Sequence, residues 1–210
     1  MPTMLAMNSY DTVCHEHLEY YALRQIKWMA DRVGFVLLDV EFNDVNGGSF
    51  SVTAGKVGHG EESPLVARIL EEESRLGLDT MLPYSRFAER AAALRDELRS
   101  FVARAAQEGK TIAALGASTK GNVLLQYCGL GPDSVLAVAE VNPDKFGRFT
   151  PGTWIPIWPE QEVLATRPDF LLVLPWHFRK FFLDNPRFSG QTLLFPLPAL
   201  EVVQRDGSLH

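Results

Sequence analysis

Short apolar segments alternate with helical segments over the C-terminal half of the chain, and this alternation constrains the fold more than any other feature. Apolar runs predict buried strands at residues 111–115, 135–141, 170–174 and 192–195, and helical patterns lie between them at 122–128, 160–165 and 177–183. Strands that alternate with helices favour a parallel sheet, because each connection must cross back over the sheet. This half is therefore predicted to be an α/β domain with a mostly parallel, doubly wound sheet.

The N-terminal half has a different pattern. Apolar residues at helical spacing predict a helix over residues 17–33, and alternation predicts strands at 35–42 and 49–54 around a turn at 43–48. A helix packed on an antiparallel hairpin is too small to bury a core alone, so it is predicted to be the end of a larger sheet. Two helices follow, at about 64–76 and 85–108, and the acidic run at 71–73 is interpreted as a solvated face.

Composition and charge exclude several classes of protein. The chain has 210 residues, of which 46% are hydrophobic, and a formal net charge of -6. An acidic chain of this kind disfavours nucleic acid as a partner. Its apolar runs are too short to span a bilayer, and its first residues lack the features of a signal peptide, so no membrane partner is expected. The two cysteines are far apart and have no metal-ligand spacing, which favours a reduced, cytoplasmic setting.

Three groups that can move a proton lie side by side near the N-terminus: His15, Glu16 and His17. Histidine titrates near neutral pH, and an adjacent carboxylate can fix its tautomer, so the segment is a candidate catalytic site. The alternative is a solvated helix N-terminus, where glutamate is favoured by the helix dipole. The two histidines lack a third ligand at a recognisable spacing, and no metal site is predicted.

A glycine-flanked loop at residues 116–122 follows a predicted strand and opens a helix. Backbone amides in that setting point at an anion, and Ser118, Thr119 and Lys120 add hydroxyl groups and a positive charge. Asn122 stands where a P-loop would carry its lysine, and the loop is not a dinucleotide fingerprint. The loop is therefore a candidate site for a phosphorylated ligand, or else a tight turn that uses glycine for its geometry.

Two further segments follow predicted strands of the same sheet. Asn142 and Lys145 come after one strand, and Trp176 and His177 come after the next. Ligands of open parallel sheets gather beyond the carboxyl ends of the strands, so these side chains are candidates for the same crevice, together with Asn122. The alternative is that Trp176 is a core aromatic residue and His177 caps a helix.

Five segments, taken in order, resemble the sugar C-methyltransferases of deoxysugar biosynthesis. The resemblance covers nearly the whole chain, and it rests on residues 8–21, 44–50, 116–122, 141–147 and 174–178. Enzymes of this family use S-adenosylmethionine to methylate a carbon next to a keto group of a nucleotide-linked sugar. The resemblance implies that His17 is the base, with Glu16 beside it, and that the nucleotide-diphosphate sugar binds a Rossmann-like C-terminal domain.

The chain also departs from the family pattern. Members can carry tyrosine where this chain has Cys14, and the zinc-binding cysteines and the glycine-rich cofactor loop of the family are not found here. The resemblance therefore implies three parts. Residues 1–57 are the C-terminal remnant of a class I methyltransferase domain, residues 58–108 are a helical connector, and residues 109–210 bind the sugar nucleotide.

This division predicts that the chain alone binds S-adenosylmethionine weakly and is inactive. An N-terminal half on another polypeptide, or a second copy of the chain, would then be a partner. Two alternatives remain open at this point. One is a Rossmann-like module that grips a nucleotide sugar without catalysis, and the other is an interaction protein that uses the exposed apolar surface of the hairpin.

Overall fold

The computed structural model describes residues 1–43 and 48–204. The turn predicted at residues 43–48 lies, except for its two ends, outside that part of the chain. The chain divides into two compact units, one of Met1–Ser9 with Glu16–Glu89 and one of Tyr10–His15 with Arg90–His210. The domain boundaries predicted after residues 57 and 108 rest on the family resemblance, whereas these units are defined by contacts within the fold. The predicted boundaries stay a prediction.

The first unit is built around an antiparallel hairpin. Its elements are helix α1 (Pro2–Ala6), helix α2 (Leu23–Arg32), strand β1 (Phe35–Asn43), strand β2 (Ser49–Lys56) and helix α3 (Pro64–Arg75). Helix α4 (Leu82–Gln107) begins in this unit and ends in the other. Strands β1 and β2 pair with each other, and the core between them and the helices consists of Leu23, Leu37, Val40, Val66 and Ile69. The prediction of a separate antiparallel hairpin packed by a helix is confirmed.

Helix α2 begins at Leu23, so the predicted start at residue 17 is wrong. Leu18 is 89% exposed, which shows that the apolar stripe expected there does not pack against the unit. The carbonyl oxygen of Tyr21 instead accepts a hydrogen bond from the N-terminal ammonium group of Met1, at 2.8 Å. His17 consequently lies in an irregular, exposed segment before the helix.

The N-terminus of α2 is capped by a residue of α3. Ala22, the N-cap residue, has no side-chain acceptor to offer the first amides of the helix. Glu73 supplies one, since its carboxylate accepts hydrogen bonds from the backbone amides of Leu23 at 2.6 Å and Arg24 at 3.0 Å. Glu73 is only 3% exposed, so the interpretation of the whole run 71–73 as a solvated face is wrong at this residue.

The second unit is an α/β domain around a larger sheet. Its helices, besides the end of α4, are α5 (Thr119–Cys128), α6 (Glu160–Ala165) and α7 (Arg179–Asp184). Its strands are β3 (Ile112–Leu115), β4 (Val138–Glu140), β5 (Ile157–Pro159), β6 (Phe170–Val173), β7 (Thr192–Phe195) and β8 (Glu201–Gln204). Within the described residues they are ordered β5-β4-β3-β6-β7-β8, and only β8 is antiparallel to its neighbour.

The strand order reverses at β3, which is the mark of a doubly wound sheet. The chain runs from β3 outwards through β4 to β5, then returns to β6 on the other side of β3 and continues outwards. The predicted fold class is thereby confirmed. The crevice beyond the carboxyl ends of β3 and β6, where the order reverses, is the position at which such sheets bind ligands.

Strands β5 and β8 were not predicted from the sequence. Strand β5 spans three residues in a segment rich in proline and glycine, and it exists because Ile157 pairs with Val138 of β4. Strand β8 is largely exposed and therefore lacks an alternating apolar pattern. The predicted helix at 177–183 is divided into a 3-10 turn, Trp176–Phe178, and α7. Within the described residues, no helix is long and apolar enough to cross a membrane.

We expect Glu73→Ala to destabilise the first unit by about 1–3 kcal/mol, because two buried amides of α2 lose a charged acceptor. Glu72→Ala, which removes an exposed carboxylate from the same helix, is the matched control. Denaturant unfolding followed by circular dichroism measures both. Equal stability of the two variants would show that the cap contributes nothing.

Candidate functional site

The glycine loop after β3 packs directly against the chain that leaves β6. Gly116 has a φ of +83°, and a Cβ atom there would lie 2.9 Å from Cδ of Pro175. A Cβ on Gly121 would lie 3.0 Å from Leu174 and 3.1 Å from the hydroxyl of Ser118. Both positions therefore need glycine, one for backbone conformation and close approach and the other for close approach alone. The loops after β3 and β6 meet at the point where the strand order reverses.

Helix α5 begins three residues earlier than predicted. Ser118 is its N-cap, and its hydroxyl oxygen accepts a hydrogen bond from the amide of Gly121 at 3.0 Å. Thr119, Lys120 and Asn122 consequently lie in the first turn of the helix. The positive end of the helix dipole, with the ammonium group of Lys120 beside it, favours a bound anion at this turn.

A single buried carboxylate joins the loop after β3 to the loop after β4. Glu140, at the end of β4, accepts hydrogen bonds on one oxygen from the amide of Ala117 and the ammonium group of Lys145, at 3.1 and 3.2 Å. Its other oxygen accepts from the amides of Val141 and Asn142, at 2.8 and 3.1 Å. Burial raises the pKa of Glu140, but these donors outweigh it and leave the pKa below its usual range.

Lys145 and Asn142 are both engaged within the protein. The ammonium group of Lys145 also donates a hydrogen bond to the carbonyl oxygen of Ala117, at 2.8 Å. The side-chain oxygen of Asn142 accepts from the amide of Asp144 at 3.0 Å and so starts the 3-10 turn that follows β4. These contacts hold the loops in place. A direct role for either residue in ligand binding stays a prediction.

Beyond β6, Trp176 is tied to a buried aspartate near the N-terminus. Its indole nitrogen donates a hydrogen bond to Oδ2 of Asp11 at 2.8 Å, and Asp11 is 0% exposed. Asp11 lies in a 3-10 turn, Tyr10–Thr12. That turn is anchored on α5, because the hydroxyl of Tyr10 lies 3.7 Å from Sγ of Cys128. Trp176 is therefore buried, as the core-aromatic alternative expected. Its hydrogen bond to Asp11 was not part of that expectation.

The charge of Lys120 affects the pKa of both Asp11 and His177. Burial raises the pKa of Asp11, while the Trp176 hydrogen bond and the charge of Lys120 oppose the increase. Burial also lowers the pKa of His177, and the charge of Lys120 lowers it further. Burial therefore disfavours the charged form of both groups, whereas Lys120 disfavours a charged His177 but, like the Trp176 hydrogen bond, favours an ionised Asp11. The first turn of α5, the turn around Asp11 and the segment after β6 thus form one electrostatic cluster.

The catalytic candidates are divided between the units. His15 and Glu16 form an exposed turn, and His17 is exposed in the segment that precedes α2. His15 belongs to the second unit, and Glu16 and His17 belong to the first. The ring of His17 makes an edge contact with Tyr20, with centroids 6.3 Å apart. Their catalytic roles stay predictions. Within residues 1–43 and 48–204, no group of three or more His, Cys, Asp or Glu side chains is placed to hold a metal.

The sequence analysis did not identify two buried acidic residues near the candidate site, Glu140 and Asp11. Glu140 ends a run of buried residues, and an acidic side chain at that position is itself a signal that its charge is satisfied locally. Asp11 gave no such signal, because the segment around it has neither helical nor strand periodicity. Only the folded chain shows that Asp11 reaches Trp176, which is 165 residues away in sequence.

Comparisons with known proteins match the chain to a family. The family described as C-methyltransferase C-terminal domain matches residues 44–198. The chain is also 33% identical to C-methyltransferase NovU of Streptomyces niveus, over 98% of this chain and 50% of that protein. It thus spans about half the length of the curated relative that it matches. The family match includes the loops after β3, β4 and β6 and leaves out residues 15–17.

The raised pKa of Asp11 predicts a pH-dependent stability. The folded state holds the Asp11 proton more tightly than the unfolded chain does, so stability falls as the pH rises from about 4, the ordinary aspartate value, through the raised pKa. Asp11→Asn removes this titration. We expect the free energy of unfolding of Asp11→Asn, relative to the parent, to increase with pH across that interval.

Denaturant unfolding at a series of pH values measures this difference. Asp133→Asn, at an exposed position before β4, is the control and should show no such trend. A difference between Asp11→Asn and the parent that stays constant with pH would contradict the prediction.

Proposed function

Because this chain belongs to the C-methyltransferase family, as a C-terminal domain, we propose that it is part of an S-adenosylmethionine-dependent enzyme that methylates a nucleotide-linked deoxysugar. The carbon that receives the methyl group lies next to a keto group. The chain's own contribution is to hold the nucleotide-diphosphate sugar and to supply the base.

The observation that carries the proposal is the arrangement at the point where the strand order reverses. A capped helix N-terminus, the ammonium group of Lys120 and two close-packed glycines meet beyond the carboxyl ends of β3 and β6. A diphosphate carries negative charge and accepts hydrogen bonds, and it matches this end of α5. Thr119 and Ser118 lie at the same turn and add hydroxyl groups.

We propose that the second unit does not bind S-adenosylmethionine. In nucleotide-binding sheets of this type, an acidic side chain about 20 residues after the glycine loop binds the ribose of the cofactor. Glu140 has that place, but both of its oxygens are engaged by backbone amides and Lys145. We propose that the cofactor is held by polypeptide of the kind that forms the other half of the relative.

The chemistry assigned to this chain is proton abstraction. A hydrogen on the carbon next to a ketone is acidic enough for a positioned base to remove it. The imidazole of His17 takes the proton, the electron pair of the C–H bond becomes an enolate, and Glu16 orients the imidazole. Hydrogen-bond donors near the enolate oxygen would stabilise the charge that develops there.

A specific observation also favours a protein-interaction role for the first unit. An open groove of ≈ 560 Å³ runs between α2 and the hairpin, lined by Ile26, Met29, Val33, Phe35, Val52 and others. Trp28 and Val33 at this groove are 59% and 69% exposed. Apolar surface of this kind favours contact with another polypeptide, either a cofactor-binding half or a second copy of the chain. Light scattering that shows a strict monomer would exclude the second copy.

We expect Lys120→Ala to weaken nucleotide-sugar binding by about 1–3 kcal/mol, because a charged hydrogen-bond donor to the diphosphate is lost. Calorimetric titration with thymidine diphosphate glucose measures the effect. Lys110→Ala, at the opposite end of β3, is the matched control. Normal binding by Lys120→Ala would mean that the glycine loop is only a turn. A parallel titration with S-adenosylmethionine separates the proposal from a cofactor-independent binding module.

In an enzyme completed by a cofactor-binding half, we expect His17→Ala to lower turnover by roughly 10²–10⁴-fold, the usual contribution of a general base. Binding of the sugar nucleotide should change little, since the base acts mainly in the transition state. Exchange of solvent deuterium into the carbon next to the keto group, followed by NMR, isolates the proton-transfer step.

His59→Ala, at an exposed histidine in the segment after β2, is the control and should exchange at the parental rate. If His17→Ala also exchanges at that rate, another residue is the base, and His15 and His177 are the next candidates.

A further inference from the structure

The cluster beyond β3 and β6 contains hydrogen-bond acceptors that the protein leaves unsatisfied. Within the described part of the chain, Oδ1 of Asp11, Oδ1 of Asn122 and Nδ1 of His177 are buried and have no hydrogen-bond partner. Buried polar atoms are rarely left without a partner, because each orphaned group loses the hydrogen bonds it made to water. Unsatisfied atoms at the ligand edge of the sheet point to a ligand that completes them.

These acceptors belong to segments that the structure brings together. Asp11 is bonded to Trp176, and the ring of Trp176 lies against that of His177, with centroids 5.9 Å apart. Lys120 and Asn122 both lie in the first turn of α5, and Lys120 acts electrostatically on both Asp11 and His177. Asp11 is fully buried, while Asn122 and His177 are only partly buried.

The chemistry of the acceptors separates them from the diphosphate. Phosphate oxygens accept hydrogen bonds, whereas a carboxylate oxygen and an amide oxygen need a donor. A ring nitrogen of a neutral imidazole also serves as an acceptor. A hydroxyl group of the ligand can donate to each of these atoms, whereas the phosphates match the positive N-terminal end of α5.

We propose that Asp11, Asn122 and His177 recognise hydroxyl groups of the carbohydrate part of the ligand, either the sugar ring or the ribose. This inference rests on the proposed function and adds a specificity to it. A site built to bond a hydroxyl rejects an analogue that lacks it, because the buried acceptors would then stay unpaired. Asp11 is the centre of this selection, since its other oxygen is fixed by Trp176.

The test compares the parent chain with Asp11→Asn by calorimetry, using inorganic pyrophosphate, thymidine diphosphate and thymidine diphosphate glucose. The asparagine oxygen can keep the bond to Trp176, while its amide group puts a donor where Oδ1 was an acceptor. We expect the variant to bind thymidine diphosphate glucose about 10- to 100-fold more weakly, the loss typical of a hydrogen bond to a charged group, and to bind pyrophosphate normally.

The three probes identify the hydroxyl. A loss confined to thymidine diphosphate glucose assigns the sugar ring, and a loss that includes thymidine diphosphate assigns the ribose. Equal weakening of all three probes, or no weakening of any, would overturn the inference. If the parent chain binds none of them, the proposed function fails, and this inference fails with it.

Two further variants show whether a loss of binding is specific or results from misfolding. Asp133→Asn changes an exposed aspartate before β4 and should bind all three probes as the parent does. Asn122→Leu removes Oδ1 of Asn122 at similar volume and should show the same selective loss as Asp11→Asn. If Asp11→Asn does not fold, Asn122→Leu decides, and a folded Asn122→Leu with parental affinity for every probe overturns the inference.

Discussion

The carboxylate of Glu140 holds together the two loops on which the candidate site is built. It binds the amide of Ala117 in the loop after β3 and the amides that follow β4, and Lys145 closes the same network onto Ala117. Loops at the end of parallel strands have no ladder hydrogen bonds of their own, so they need such a partner. The position of the α5 N-terminus, and with it that of Lys120, depends on this network.

The buried carboxylates differ in how completely their oxygens are hydrogen-bonded within the protein. Glu73 and Glu140 are buried with backbone amides on both oxygens, so their burial is offset locally. Asp11 is buried more completely, yet one of its oxygens has no partner within the described residues. Incomplete satisfaction of a buried carboxylate costs stability and needs an explanation, which the proposed ligand hydroxyl supplies. The same reasoning separates Asn122 and His177 from the well-satisfied Asn142 and Lys145.

The sequence allowed prediction of what depends on local pattern. The strands β3, β6 and β7 are short runs of mostly buried residues, and the loop after β3 is marked by Gly116 and Gly121, which allow close packing and, at Gly116, a positive φ. The elements that could not be predicted depend on distant partners. Strand β5 needs β4 beside it, α2 takes its cap from α3, and Asp11 meets Trp176 only after folding. Periodicity carries no information about such contacts.

The two units carry different candidate features, and the proposed function assigns a different part to each. The second unit presents buried acceptors without partners and the capped N-terminus of α5, which suits the phosphorylated carbohydrate proposed above. The acid that such folds use for a cofactor ribose is occupied by the loops themselves. The first unit has an open apolar groove between α2 and the hairpin, and its Glu16 and His17 lie in an exposed segment before α2. Under the proposed function, a polypeptide that covers this groove would bring the methyl donor, so that the first unit serves assembly and the second serves substrate binding.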